Sequence, residues 1–133
     1  MSQPADDDPR SRLKGLKVLV VEDESIISFL IEDLATELGA AEVWHAASVA
    51  AALALLAARR PDAVVLDVNL GGEPAHAVAE RLERLAVPFV FATGYGRQGV
   101  PPQWTGRPVL QKPFPVDALG EALGAVLGRQ SKG

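Results

Sequence analysis

"AVVLDVN", residues 63–69, is apolar except near its carboxyl end, where an acid, Asp67, interrupts the run. A short apolar run rich in β-branched residues predicts a strand buried on both faces, as strands of parallel sheets are. Ligands bind in such sheets beyond the carboxyl ends of the strands, which is where Asp67 is expected to lie. The flanking sequence must then supply the other strands and the covering helices.

Strand and helix patterns alternate on both sides of this run. Further strands are predicted at 16–22, 42–46, 88–93 and 108–111. Helices are predicted at 25–38, from Ser48 to about Arg59, from about Pro74 to Leu85 and at 116–127, because apolar residues recur there three and four apart. The order β-α-β-α-β-α-β-gap-β-α predicts an α/β fold, a doubly wound five-stranded parallel sheet with helices on both faces.

The helix limits carry their own signals. Gly39 is a good end for the first helix, and Ser48 is a good cap for the second. Pro74 suits the first turn of the third helix. One apolar face is predicted for the first helix, formed by Ile26, Ile27, Leu30, Ile31, Leu34 and Leu38.

Length and composition indicate one packed domain. The chain has 133 residues, of which 48% are hydrophobic and 23% charged. We interpret the polar, acidic segment 1–13 as a mobile N-terminal tail, 14–129 as the domain and 130–133 as a C-terminal tail. The absence of cysteine excludes disulfides, thiolate zinc sites and a cysteine nucleophile.

Charge and hydropathy exclude two classes of partner. The net charge is −4, and lysine and arginine are scattered, so no nucleic-acid-binding surface is expected. The longest nearly apolar run, 46–58, falls short of the roughly 20 residues that a membrane span needs. Segment 1–13 lacks the apolar core of a signal peptide. We therefore expect a cytoplasmic protein without membrane or nucleic-acid contacts.

Polar residues lie at the carboxyl ends of four predicted strands. Glu22 and Asp23 follow the first, Asp67 ends the third, Thr93 ends the fourth and Lys112 follows the fifth. Each has an ordinary alternative role, such as helix capping by Asp23. Because parallel strands end at one edge of a sheet, we expect three carboxylates, a hydroxyl and an amine to converge there.

This combination of groups suits phosphoryl transfer. Three close carboxylates repel one another, and a hard divalent cation such as Mg²⁺ relieves that repulsion. A fixed carboxylate can attack phosphorus and form an aspartyl phosphate. A metal ion, an ammonium group and a hydroxyl can neutralise the negative charge that spreads during transfer.

Four motifs in order resemble those of response-regulator receiver domains, the phosphoacceptor half of two-component signalling. They are "VVEDE" (20–24), "VVLDVNL" (64–70), "FATG" (91–94) and "LQKPF" (110–114), and the resemblance covers residues 16–128. It implies a flavodoxin-like sheet of strand order 2-1-3-4-5. "FATG" followed by an aromatic residue further resembles a subgroup of single-domain regulators.

The resemblance implies a role for each matching residue. Asp67 would accept a phosphoryl group from the phosphohistidine of a histidine kinase or histidine phosphotransfer protein. Thr93 would hydrogen-bond to that group and Lys112 would pair with it, with the Lys112-Pro113 peptide bond cis. The chain would signal through contacts with an unknown downstream protein and would not be a turnover enzyme.

The implied cofactor is Mg²⁺. Asp23 would bind it directly, Glu22 mainly through water and Asn69 through its backbone carbonyl, and Asp67 would also belong to the metal site. Gly71-Gly72 replaces the proline usual after this motif, which predicts a looser loop.

The sequence departs from the family at the switch. Val109 replaces an aromatic residue that usually couples to the threonine, and Tyr95 supplies an aromatic close to Thr93 instead. Residues 94–108 hold seven glycines and prolines, so the fourth helix is predicted to be weak or replaced by a loop. We interpret Thr93 and Tyr95 as the switch pair, and Tyr95 with Asn69 as flanking the approach to Asp67.

Two other functions remain open. A pseudo-receiver is a protein-binding module of the same fold that is never phosphorylated, and a small hydrolase would use Asp67 as its nucleophile. The glycines at 120, 124 and 128 are interpreted as a close-packing stripe or as a surface for a partner helix. His45 and His76 lack partners at metal-ligand spacing and are expected to have structural or surface roles.

Overall fold

A computed structural model of the chain describes residues 12–94 and 108–132. Five strands form the main sheet: β1 Lys17–Val21, β2 Glu42–Ala46, β3 Ala63–Asp67, β6 Phe89–Thr93 and β7 Val109–Gln111. The helices are α1 Ser25–Glu37, α2 Val49–Ala58, α3 His76–Leu85 and α4 Val116–Lys132. Two short strands, β4 Asn69–Leu70 and β5 Glu73–Pro74, form a separate hairpin.

The main sheet is parallel throughout, with the order β2-β1-β3-β6-β7. Without the hairpin strands this is the order 2-1-3-4-5, so the predicted doubly wound fold is confirmed. The register aligns Val21 with Leu66 and Asp67 with Ala92. Residues that follow β1, β3 and β6 therefore lie at one edge, which we call the carboxyl edge.

Each face of the sheet has its own apolar core. Alternate strand residues such as Leu19, Leu66 and Phe89 pack beneath α2 and α3. Their neighbours, such as Val20 and Val65, pack beneath α1 and α4. A strand buried on both faces needs apolar residues at nearly every position, as "AVVLDVN" predicts.

The predicted cap of α2 is confirmed, because Ser48 Oγ accepts a hydrogen bond from the Ala51 backbone N–H at 3.0 Å. The predicted apolar face of α1 is only partly correct. Ile31 and Leu38 are buried, but Ile26 and Leu30 are 75% and 53% exposed. The apolar stripe is wider than the surface that α1 covers, so part of it faces solvent.

The third helix begins at His76 rather than Pro74, because Pro74 belongs to the hairpin. The loop predicted to be loose is an ordered two-residue turn instead. Gly71 and Gly72 have φ angles of +62° and +89°, which side-chain-bearing residues rarely adopt. Two consecutive residues of positive φ suit a two-residue hairpin turn, so this glycine pair orders the chain here.

The tail and domain limits also need correction. Leu13, assigned to the tail, is fully buried, and its N–H donates to the Leu38 carbonyl at 2.9 Å. An apolar residue inside the core cannot belong to a mobile tail, so the packed domain includes Leu13. At the other end α4 continues to Lys132, beyond the predicted limit of 129.

The glycine stripe packs closely at two positions. A Cβ added at Gly120 would lie 3.1 Å from Leu38 Cδ2, and one at Gly124 would lie 3.0 Å from Arg12 Nη1. The close-packing interpretation is therefore confirmed for both residues, which contact this chain's own side chains. Among the described residues, no helix is both long and apolar enough to cross a bilayer.

Candidate functional site

The carboxyl edge brings the predicted acids together. Glu22 and Asp23 follow β1, and Asp67 is the last residue of β3. One oxygen atom from each lies within 4.8 Å of the others. Asp67 and Glu22 are only 6% and 3% exposed, whereas Asp23 is exposed. The site thus has a buried acidic floor and one acid open to solvent.

Lys112 supplies the counter-charge. Its Nζ lies 2.9 Å from Glu22 Oε1 and 3.4 Å from Asp67 Oδ2. Lys112 follows β7, and its backbone N–H donates to the Thr93 carbonyl at 2.8 Å. The Lys112-Pro113 peptide bond is cis, as the resemblance implies. One ammonium group therefore bridges two carboxylates from different strands.

An open pocket of about 400 Å³ lies over these groups. Asp23, Asp67, Thr93 and Lys112 all line it. Thr93 is 1% exposed, so its side chain belongs to the buried wall of the pocket. Asn69 lines the pocket as well, so five of the predicted site residues face one space that a small anionic group could enter.

Burial and charge set the acidity of the site. The pKa of Asp67 is raised to about 6: burial raises it most and the negative charge of Glu22 adds to the rise, while the positive charge of Lys112 offsets part of it. Burial alone would lower the pKa of Lys112. Its hydrogen bond to Glu22 and the charge of Asp67 outweigh that effect, so its pKa is raised. Lys112 is therefore a fixed positive charge at neutral pH.

The donor set fits a hard divalent cation. Carboxylate oxygens are the ligands that Mg²⁺ prefers, and three of them converge here. Glu24 rather than Asp23 is the N-cap residue of α1, and no side chain among the described residues caps that helix. The exposed carboxylate of Asp23 is thus available to a ligand in the pocket.

Asn69 contacts Asp67 through its backbone. Its N–H donates to Asp67 Oδ1 at 3.3 Å, while its own Oδ1 accepts from the Gly72 N–H at 3.0 Å. Its side chain is therefore engaged in the hairpin, a contact that the sequence did not reveal. Tyr95 and the 95–107 segment, including the predicted weak fourth helix, lie outside the described residues.

A histidine network that no sequence pattern indicated joins β2 to α1. His45 of β2 contacts two residues of α1, with Nδ1 at 2.5 Å from Ser28 Oγ and Nε2 at 2.9 Å from Glu32 Oε1. The ring also packs edge to face against Phe29, with centroids 6.0 Å apart. These partners are distant along the chain, so no local spacing signals them. The structural role expected of His45 agrees with these contacts.

An apolar groove of about 470 Å³ adjoins the acidic pocket. Its apolar lining residues are Ile27, Leu30, Ile31, Leu34, Pro113 and Phe114. Ile27 and Lys112 line both the groove and the acidic pocket. Ile26 and Phe29 on the same helix are also exposed, at 75% and 60%. The apolar lining of the groove thus borders the acidic pocket, whereas Phe29 lies beside His45 in a separate depression.

Comparisons with known proteins agree with this architecture. The family model "Response regulator receiver domain" matches residues 18–123. The sensory transduction protein LytT of Bacillus subtilis is 31% identical over 110 residues, which are 78% of this chain and 40% of LytT. The chain spans less than half the length of the curated relatives that it matches.

Solved structures are similar over nearly the whole chain. The solution structure of SdrG from Sphingomonas melonis is 44% identical, with a TM-score of 0.77, covering 88% of this chain and 98% of SdrG. A second SdrG structure is of its BeF3-activated conformation. The response regulator PhyR from Brucella abortus is 25% identical, with a TM-score of 0.76, covering 93% of this chain and 52% of PhyR. With its family match, strand order and acidic pocket, the chain belongs to the response regulator receiver domain family, whose members are signalling switches rather than turnover enzymes.

Proposed function

We propose that the chain is a phosphoacceptor switch in which Asp67 accepts a phosphoryl group from a phosphohistidine donor. The observation that carries the proposal is the position of Asp67 at the floor of an open pocket, with its Oδ2 3.4 Å from Lys112 Nζ. A buried carboxylate can act as a nucleophile toward phosphorus, and the ammonium group beside it would compensate the negative charge of the aspartyl phosphate that forms.

In the proposed transfer, a carboxylate oxygen of Asp67 forms a bond to phosphorus as the phosphorus–nitrogen bond of the donor histidine breaks. The imidazole leaves as the neutral base after it takes up a proton. Lys112 is positioned to pair with the oxygens of the transferred group, and Thr93 lines the same pocket with a hydroxyl. With its pKa near 6, Asp67 is mostly ionised above neutral pH and can attack.

Mg²⁺, when bound, would neutralise charge on the transferred group. Asp23, Asp67 and the Asn69 backbone carbonyl would hold the ion. Both carboxylate oxygens of Glu22 have other partners, Lys112 Nζ at 2.9 Å and the Glu24 N–H at 3.2 Å. That engagement favours contact between Glu22 and the ion through water.

The donor is proposed to be a histidine kinase or a histidine phosphotransfer protein in the cytoplasm. The exposed face of α1 with the adjoining apolar groove, which we call the α1 face, offers it a docking surface. Because the groove shares Ile27 and Lys112 with the acidic pocket, a protein seated there brings its histidine close to Asp67. Output would go to a downstream protein.

Acetyl phosphate with Mg²⁺, followed by intact-protein mass spectrometry, tests the acceptor role. We expect the mass to increase by one phosphoryl group, and this increase to disappear in Asp67→Asn and in EDTA. SdrG, which shares 44% identity, has a BeF3-activated conformation, so beryllofluoride is a suitable second probe. An absence of adduct with any donor, together with an absence of beryllofluoride binding, would favour the pseudo-receiver.

We also propose that Thr93 and Tyr95 transmit phosphorylation to the 94–106 segment. Thr93 lines the acidic pocket at the end of β6, immediately before that segment. Amide exchange across 94–106 should slow when beryllofluoride is added. Unchanged exchange across the segment would contradict this part of the proposal.

A further inference from the structure

The hairpin at residues 69–74 is joined to the acceptor carboxylate by a hydrogen bond. The Asn69 N–H donates to Asp67 Oδ1 at 3.3 Å, while Asp67 Oδ2 faces Lys112 Nζ at 3.4 Å. Each oxygen of the Asp67 carboxylate thus has its own partner, Oδ1 the Asn69 amide and Oδ2 the Lys112 ammonium group. The orientation of the carboxylate therefore depends on where the hairpin places the Asn69 amide.

Two features hold the hairpin in shape. Gly71 and Gly72 supply the consecutive positive φ angles of the turn. The Asn69 side chain closes it, because Oδ1 accepts from the Gly72 N–H at 3.0 Å. Asn69 thus uses its side chain to fix the turn and its backbone to contact Asp67.

The chain contains a second example of this closing contact. Ser48 Oγ accepts from the Ala51 N–H at 3.0 Å, also three residues ahead, where α2 begins. Short side chains with an acceptor oxygen commonly satisfy a nearby backbone donor in this way. A serine at position 69 is therefore a conservative replacement for the contact, whereas an alanine removes it.

The tip of the hairpin also faces the acidic pocket. Gly71 and Gly72 line it with Asp23 and Asp67. A Cβ at Gly71 would lie 3.7 Å from Asp23 Oδ2, whereas a Cβ at Gly72 would have no heavy atom within 4 Å. The two glycines share the turn, but only Gly71 adjoins an acid of the site. That separation of 3.7 Å is an ordinary van der Waals contact, so the hairpin tip adjoins Asp23 without crowding it.

We propose that the 69–74 hairpin positions the Asp67 carboxylate for phosphoryl transfer, with the Asn69 side chain as the positioning residue that closes it. This inference rests on the proposed acceptor function. It goes beyond that function because it assigns the Asn69 side chain a role through the turn and through Asp67, without contact with the phosphoryl group.

The rate of phosphoryl uptake from acetyl phosphate tests the proposal in the full chain. Asn69→Ala should lower the rate about tenfold, because small displacements of a reacting group are costly. Asn69→Ser should stay within about twofold of the natural protein, because it restores the acceptor oxygen. An alanine variant as fast as the natural protein, or a serine variant as slow as alanine, would overturn the proposal.

Amide exchange measured by NMR in the unphosphorylated protein gives a readout that does not depend on phosphorylation. In Asn69→Ala, exchange at both the Gly72 and Asn69 amides should become faster, and Asn69→Ser should restore both. Faster exchange at Gly72 alone would mean that the turn does not hold the contact with Asp67, and would overturn the inference. If the natural protein takes no phosphate, the proposed function fails, while this measurement still decides whether the hairpin positions Asp67.

Discussion

In the interior of the sheet, Phe89 and Phe91 of β6 are at most 1% exposed and pack edge to face with ring centroids 5.4 Å apart. Two residues further along the same strand, Thr93 is equally buried but polar, and Asp67 on the neighbouring strand is a carboxylate at 6% exposure. Apolar burial stabilises the fold, whereas carboxylate burial opposes it unless a partner compensates. The same strands thus supply stability along their length and reactive groups at their ends.

The largest expected effect is on the interior. Phe91→Ala removes a ring that is 1% exposed and should lower the free energy of unfolding by about 3–5 kcal/mol. Urea unfolding of the metal-free protein measures the loss. Because Phe91 does not line the acidic pocket, the fraction of the variant that remains folded should still accept phosphate. A loss well below this range would show that the interior does not dominate stability.

At the carboxyl edge, replacing a buried side chain should raise the stability of the fold instead of lowering it. The pKa of Asp67 is about 6 in the folded protein against an ordinary 3.8, so its ionisation is disfavoured by folding. The stability linked to its proton is fully present below about pH 3.8 and is lost as pH rises to about 6. Asp67→Asn should therefore abolish phosphorylation and yet stabilise the metal-free protein by about 1–2 kcal/mol at neutral pH.

Urea unfolding in EDTA at several pH values tests whether Asp67→Asn stabilises the metal-free protein. The difference between Asp67→Asn and the natural protein should be small near pH 4 and should grow until about pH 7. The raised pKa of Lys112 keeps that residue protonated throughout this range, so it adds no slope. If Asp67→Asn were less stable at pH 7 than at pH 4 relative to the natural protein, Asp67 would be a net stabilising charge.

Docking on the α1 face can be tested separately from the chemistry of the acidic pocket. Leu30→Ala removes a side chain that lines the groove and is 53% exposed, so it should change folding little. It should lower phosphoryl transfer from a histidine phosphotransfer protein about tenfold, a loss typical of an interface anchor. Uptake from acetyl phosphate is the control and should be unchanged. Equal slowing with both donors would place the effect of Leu30 in the pocket rather than in docking.

The carboxyl edge was more predictable from sequence than its surroundings. Alternating strands and helices fix a parallel sheet, and a parallel sheet brings the ends of its strands together. Asp67, Thr93 and Lys112 could therefore be placed around one pocket without knowledge of any contact. Their distances could not, because the bridging of two carboxylates by Lys112 depends on side-chain packing.

Other features could not be predicted from the sequence, because the same sequence pattern is compatible with two different structures. A glycine pair suits a loose loop or a tight hairpin, and only the pairing of Asn69 with Pro74 distinguishes them. The apolar stripe of α1 predicts a single face buried in the core, although Ile26 and Leu30 are exposed. Leu13 follows a polar, acidic segment that resembles a tail, and its side chain is buried in a core cluster with residues distant along the chain, such as Leu119 and Leu123.

The smallest expected effect concerns the glycines of α4, far from the charged edge. Alanine is favoured over glycine in a helix by about 1 kcal/mol, so Gly124→Ala should stabilise the protein by about 0.5–1 kcal/mol. Its new Cβ would meet Arg12 Nη1 at 3.0 Å, the end of a flexible, exposed side chain that can move away.

Gly120→Ala is the matched comparison on the same helix. Its Cβ would meet Leu38 Cδ2 at 3.1 Å, and Leu38 is 2% exposed and held in the core. Overpacking should therefore cancel most of the gain in helix propensity and leave the free energy of unfolding unchanged or lower. Thermal unfolding of the two variants side by side measures the difference. Equal stabilisation would mean that the core yields as easily as the surface, and would weaken the contrast between a rigid interior and an adaptable exterior.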